Sequence, residues 1–136
     1  MSAMWDTLTE IRAALAALPG VKSCKIGLEV PIVAEDYPII RLVPAAIRPE
    51  DARGGIDAFD PLVIYYGWDL LEVDVGLEAI YQRLFEMREG IRSALLVADE
   101  SPLMWQYLDT TLDEDRLPRY KLFADRYKMV ERQLLD

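Results

Sequence analysis

Residues 62–96 read LVIYYGWDLLEVDVGLEAIYQRLFEMREGIRSALL. From Leu62 to Glu72, a period of two puts Leu62, Ile64, Tyr66, Trp68 and Leu70 on one face and Val63, Tyr65, Gly67, Asp69 and Leu71 on the other. Both sets are largely apolar, which predicts a central strand with something covering each side. Asp74 fits a helix N-cap. From Leu77 a stripe runs through Ile80, Leu84, Met87, Ile91 and Leu95, widened by Tyr81 and Ala94. Gln82, Arg83, Glu86, Glu89 and Ser93 fall on the opposite side, so the segment predicts a helix that lays one face on a sheet. Gly90 costs ~1 kcal/mol against alanine inside a helix, and its presence predicts a close approach to the backbone there. Nothing in the stretch is arrayed for acid–base, nucleophilic or metal chemistry. The second face of the strand needs a cover, from the N-terminal helix or from a neighbouring subunit.

At 136 residues the chain predicts a single domain, 1–136, and at 52% hydrophobic it has ample material for a core. The net charge of -9, from 24 acidic and 15 basic residues, opposes a duplex nucleic-acid binder, which needs clustered cations to neutralise phosphates. It disfavours an anionic membrane surface for the same reason. Cys24 is the single cysteine, so no internal disulfide forms. The start, MSAMWDTLTE, has acids where a signal peptide has a basic region and an apolar run. The apolar runs are too short to cross a bilayer, which takes about 20 residues. A cytosolic protein, or one assembled in the cytosol, is expected.

Residues 4–18 predict a helix, because Met4, Leu8, Ile11, Leu15 and Leu18 form one stripe and alanines fill the rest. Ser2 is placed to cap its start, and Pro19 and Gly20 end it. Residues 22–33 alternate as a strand, weakened at Pro31. Residues 38–47 give a second strand interrupted at Pro44, and the two are expected to pair as a hairpin. Arg48 to Pro61, RPEDARGGIDAFDP, reads as a long loop. Residues 103–112 predict a strand and 113–118 a loop. Residues 119–135 carry both periods. Tyr120, Phe123, Tyr127, Val130 and Leu134 recur at helical steps, while YKMVERQLL alternates. Periodicity alone leans to helix there, with an edge strand closing the sheet as the alternative.

The chemistry on offer is thin. With no histidine, the commonest general base, the histidine-dependent triads and histidine zinc ligands are excluded. Gly54-Gly55 lacks any phosphate-loop frame. Cys24, with Lys22 and Lys25 nearby to lower its pKa, is a candidate thiolate; the plainer reading is a small apolar residue at a strand start. Glu35-Asp36, Glu50-Asp51 and Asp113-Glu114-Asp115 offer carboxylates for a cation or an acid/base pair, and read more simply as solvated loop charge. Tyr65, Tyr66, Trp68, Tyr81 and Phe85 are expected in the core rather than in a ligand pocket, and Trp5 and Trp105 in the core before an interface. No catalytic residue, cofactor or metal is expected.

The segments IRAALAALPGVKSC (11–24), LVIYYGWDLLE leading into LEAIYQRLFEMREGIRSALL, and YKMVERQLL (127–135) follow an order of N-terminal helix, hairpin, central strand, long helix and terminal strands. This order resembles the tail terminator, or tail completion, proteins of long-tailed bacteriophages and the related head–tail neck proteins. It covers about two thirds of the chain and is one of pattern, since these families carry no catalytic motif; the long region from Leu103 to Arg126 departs from the simplest version. The resemblance implies an α+β fold. It comprises a mostly antiparallel sheet of four to five strands, packed by an N-terminal helix and one long central helix, with 127–135 as the closing strand. It implies a structural role, as a hexameric ring that caps the tail tube and presents a surface to the head connector. The implied partners are copies of itself, the tail tube protein and a connector or neck protein, with no sequence-specific nucleic acid and no membrane. The implied location is the virion tail or neck, after assembly in host cytoplasm. Ring contacts are heterologous, and the two loops 48–61 and 109–118 are the candidates for them. The candidate interface residues are Arg48, Glu50, Asp51, Arg53, Asp57, Phe59, Asp113, Glu114, Asp115 and Arg116. Two rival classes stand beside this: an acidic, immunity-type binding module suggested by the net charge, and, behind it, a carboxylate or Cys24 enzyme.

Overall fold

The computed structural model describes residues 3–27, 38–49, 57–69, 76–97, 103–112 and 120–131. Helix α1 spans Ala3–Ala16. Its stripe of Leu8, Ile11 and Leu15 is buried. The chain leaves the helix through a turn in which the Leu18 N–H donates to the Leu15 carbonyl at 3.2 Å and the Val21 N–H to the Leu18 carbonyl at 3.3 Å. Gly20 sits at φ +85° in that turn, a conformation side chains resist. Trp5 is 53% exposed, so it belongs to the surface and not to the core where it was expected.

Strand β1 (Ser23–Ile26) and strand β2 (Ile39–Pro44) pair in parallel, Ser23 with Ile39 and Ile26 with Leu42. The expected hairpin is therefore overturned. The physical reason is the connection: residues 27–38 number twelve, and a parallel pair needs a crossover of about that length, whereas hairpin loops take about two to five. Pro44 does interrupt the second apolar run, and strand β3 (Ile47–Pro49) follows it.

The expected loop 48–61 is also corrected. Strand β4 runs from Asp57 to Asp69, and β3 pairs antiparallel with its first residues, Ile47 with Phe59 and Pro49 with Asp57. Pro61 is accommodated because the ladder shifts register between Phe59 and Leu62, where no N–H is required of it; the Asp60–Pro61 peptide is cis. Residues 50–56 lie outside the described residues, as do Ser2, Pro31 and Asp74.

Helix α2 (Gly76–Val97) follows the predicted stripe, with Ile80, Leu84, Met87, Ile91 and Leu95 all buried. At Gly90 an added methyl would meet the Leu18 methyls at 3.7 and 3.8 Å, ordinary contact distances, so the backbone is approached but not crowded. Strand β5 is Leu103–Leu112, as predicted, and strand β6 is Tyr120–Glu131. The helical spacing within 119–135 is overruled: β6 pairs along its length with β4 on one side and β5 on the other. It is an interior strand and not the expected edge.

Among the described residues the sheet has six strands, in the order β1-β2-β4-β6-β5 with β3 paired to β4, and the β1–β2 pair alone is parallel. The fold is α+β and mostly antiparallel. Both helices lie on one face. Leu8, Ile11 and Leu15 of α1 join Ile80, Leu84 and Ile91 of α2 in one core with Ile40, Leu42, Leu62, Ile64, Tyr66 and Phe123. So α1 does not cover the second face of β4; it packs toward β1 and β2, beside α2 over β4 and β6. On that second face Ile39, Arg41 and Val63 are buried outside the helix-packed core. Arg41 is 1% exposed and donates from Nη1 to Ser23 Oγ (2.8 Å), the Ser23 carbonyl (3.3 Å) and the Ile40 carbonyl (3.0 Å). No described helix is long and apolar enough to cross a membrane.

Candidate interface at the β5 edge

Among the described residues β5 ends the sheet, with β6 as its neighbour. Its register carries an irregularity. Tyr107 faces Tyr127 and Asp109 faces Arg126, which leaves Leu108 as an extra residue. Such a bulge restores side-chain parity after the insertion. Tyr107 and Thr110 therefore point to the same face, toward α2, although three residues separate them. Asp109 points to the other face.

Under the edge lies a polar cluster centred on Asp125 of β6, which is fully buried. Its Oδ1 accepts from the Tyr66 hydroxyl at 2.8 Å and from Thr110 Oγ1 at 2.7 Å. Its Oδ2 accepts from the Tyr127 hydroxyl at 3.3 Å. Since the Thr110 proton goes to Asp125, Thr110 must accept at its remaining positions. It does so from Arg88 Nε at 3.0 Å and from the Tyr107 hydroxyl at 2.5 Å. Tyr107 in turn accepts from Arg88 Nη2 at 2.9 Å. The hydroxyls thus form a chain that runs from the α2 guanidinium to the β6 carboxylate.

Burial pushes the Asp125 carboxyl above its ordinary 3.8, against the pull of the Thr110 and Tyr66 hydrogen bonds and the Arg88 charge. Burial and the same carboxylate push the Tyr66 and Tyr127 hydroxyls up. Asp125, Tyr66 and Tyr127 are buried while Arg88, Tyr107 and Thr110 are half-buried, and their hydrogen bonds link β5 and its bulge to α2 and β6, so the cluster acts as a brace. On the opposite face Asp109 and Arg126 form an exposed, two-pronged ion pair, with Arg126 Nε 2.8 Å from Oδ1. The guanidinium holds the Asp109 carboxyl below its ordinary value.

The surface beside the brace is apolar. Phe85 of α2 is 46% exposed and meets Phe123 edge-on, with ring centroids 5.5 Å apart. Leu112 pairs with Phe123 across the ladder and is 41% exposed, and Leu108 is exposed as well. Arg88 and Arg92 both lie over the Tyr107 ring, at 5.2 and 4.8 Å from its centroid. Tyr66 is core as expected, and Tyr81 packs against the core. Trp68, partly buried, carries the Arg83 guanidinium 5.2 Å from its centroid, and its Nε1 has no partner among the described residues.

Of the interface residues expected from the sequence, Arg48 and Asp57 are exposed at the β3–β4 pairing, where Arg48 Nε donates to the Asp60 carbonyl at 3.3 Å. Phe59 is buried in the chain's own core and is not surface. Asp109 is a strand residue, so the expected contact loop does not begin there. Glu50, Asp51, Arg53, Asp113, Glu114, Asp115 and Arg116 lie outside the described residues, as do the Glu35-Asp36 pair and the Trp105 side chain. Arg48 and Asp57 sit near the Val130 end of β6, while Phe85 and Leu112 sit near Phe123; seven strand residues at ~3.3 Å place them about 20 Å apart.

Cys24 departs from the reactive reading. Burial raises its thiol to about 11, overriding Arg41 and Arg12, and its side chain packs on the core. Among the described residues no group of three or more Cys, Asp or Glu is placed to hold a metal ion. Sequence reasoning missed Asp125, Arg88, Tyr107 and Thr110. The available signal was Asp125 itself, which stands between Phe123 and Tyr127 on the buried stripe of β6 once that segment is read with a period of two. No protein-family model matches the chain, and no curated protein matches it.

Proposed function

We propose that this chain is a structural subunit of a phage tail, which assembles as a ring that caps the tail tube and meets the head connector. The observation that carries the reading is the β5 edge. Ten residues long, it exposes Leu108 and Leu112 and is held in one shape by the brace. A long edge strand with apolar residues is a hazard in a monomer and an asset in an assembly. Both helices pack on one face, and among the described residues β5 has a strand on one side only. The resemblance of pattern to tail terminators supplies the kind of assembly. The acidity suits a conduit along which DNA slides without adhering.

Light scattering over a range of concentrations, with and without purified tail tube protein, tests the proposal, together with electron microscopy of tube ends. Rings, alone or seated on tube ends, are expected. A strict monomer that caps no tubes would sink the reading. A ring that binds connectors and ignores tubes would move the protein to the neck.

A further inference from the structure

Between the turn that ends α1, the Trp68 end of β4 and helix α2 lies a cleft of about 450 Å³. Small-molecule sites span roughly 300–1,000 Å³. Leu18 and Trp68 give the cleft an apolar wall. Arg83, Glu86, Met87 and Gly90 line it from α2, at i, i+3, i+4 and i+7 on one side of the helix. Met87 is buried and Glu86 is exposed, so this line runs from floor to rim.

Two features of this cleft have no account in the fold. The first is Gly90. Glycine weakens a helix interior relative to alanine. A methyl at Gly90 would meet the Leu18 methyls at ordinary distances of 3.7 and 3.8 Å, and its backbone is outside the left-handed region that calls for glycine. What the missing side chain supplies is room in the cleft. The second is charge. Arg83 and Glu86 stand one turn apart, where opposite charges commonly pair, yet they do not pair here. The Arg83 guanidinium lies over the Trp68 ring, 5.2 Å from its centroid, and has no carboxylate partner among the described residues. Glu86 Oε1 accepts from Gln82 Nε2 at 3.3 Å. A cation and an anion therefore stand side by side on the cleft wall, each without an opposite charge among the described residues.

We infer that the cleft binds a free apolar α-amino acid. The ligand's carboxylate meets Arg83, its ammonium group meets Glu86, and its side chain lies on Leu18, Met87 and Trp68. A free amino acid carries both charges on one small headgroup, as the two neighbouring wall charges require. In a peptide those charges sit at opposite ends of the chain. A simple acid or a simple amine matches one wall charge and is repelled by the other. The inference is independent of the ring reading.

Titration of the full chain with L-leucine and L-phenylalanine, followed by calorimetry and amide NMR shifts, tests it. Saturable binding is expected, with shifts gathered at Leu18, Trp68 and Gly90. Isocaproate is leucine without its amino group, and isoamylamine is leucine without its carboxyl. Each should bind about tenfold more weakly than leucine. Arg83→Gln should weaken leucine about tenfold and spare isoamylamine, while Glu86→Gln should weaken leucine as much and spare isocaproate. Gly90→Ala should raise the melting temperature, and Gly90→Met, which extends a side chain into the cleft, should abolish binding. Arg83 and Glu86 are at least partly exposed, so their variants decide the matter even where Gly90→Met fails to fold. Neither amino acid binding at millimolar concentration, or analogues that bind as tightly as leucine, would overturn the inference. So would a Gly90→Met variant that binds like the parent, or a Gly90→Ala variant that melts lower, because packing would then explain the glycine.

Discussion

Asp125 and Asp109 occupy adjacent steps of one ladder and live in opposite surroundings. Asp125 pairs across with Thr110, and Asp109 pairs across with Arg126. The pleat turns Asp125 under the helices and Asp109 toward solvent. One carboxylate gathers three hydroxyls and is pushed up in pKa; the other meets a guanidinium and is pulled down. The comparison teaches that an ion pair drawn with good geometry is the weaker feature here. Exposed pairs are screened by water and salt. A buried carboxylate that loses its donors, or buried donors that lose their carboxylate, are left with desolvation costs that water does not repay.

The largest effect should come from Asp125→Ala. It leaves the Tyr66, Thr110 and Tyr127 hydroxyls without their acceptor, and a loss of about 3 kcal/mol in urea unfolding is expected. A loss below about 1 kcal/mol would mean that water reaches the cluster, and the contrast with Asp109 would collapse. Next is Tyr66→Phe, which removes one of three donors to the same carboxylate and should cost about 1–2 kcal/mol. Stability against pH sharpens the comparison further. The Asp125 carboxyl titrates above 3.8 in the folded chain, so the native state binds more protons than the unfolded one. Its stabilisation is present at low pH and is lost as pH rises through the native value. Parallel unfolding curves of the parent and Asp125→Asn should show the parent's relative advantage shrinking as pH rises; a growing advantage would reverse the assignment. Asp109, with its pKa lowered, has the opposite slope and contributes only above its native value. The smallest effect should be Asp109→Asn, whose shift in melting temperature should be near the error of measurement and should vanish in high salt.

How far the sequence discloses this molecule depends on whether one period stands alone. Leu77 to Leu95 has a single stripe, and α2 follows it. Residues 62–69 alternate with apolar residues on both faces, and β4 is indeed central. Residues 120–131 satisfy both periods because aromatic residues at Tyr120, Phe123 and Tyr127 happen to fall three and four apart; pairing on both sides decides for the strand. Alternation reports a strand's faces and says nothing of its direction, so it cannot tell the parallel β1–β2 pair from a hairpin. Trp5 looked like core because hydrophobicity alone cannot tell a helix's packed line from its flank. The brace was hidden for a related reason: Arg88, Tyr107, Thr110 and Asp125 come from three elements and meet only after the bulge sets their parity.

That bulge gives Leu108 an unusual standing in the register. Regular strands place neighbours at even separations on one face, so Tyr107 and Thr110, three apart, share a face only because one residue between them goes uncounted. Deleting Leu108 would therefore leave every remaining residue of β5 opposite its present partner on β6. A shortened β5 would keep its ladder and its brace, and would lose only the leucine that stands outside both. Leu108, partly exposed, is the one residue between Tyr107 and Asp109 that has no partner position on β6.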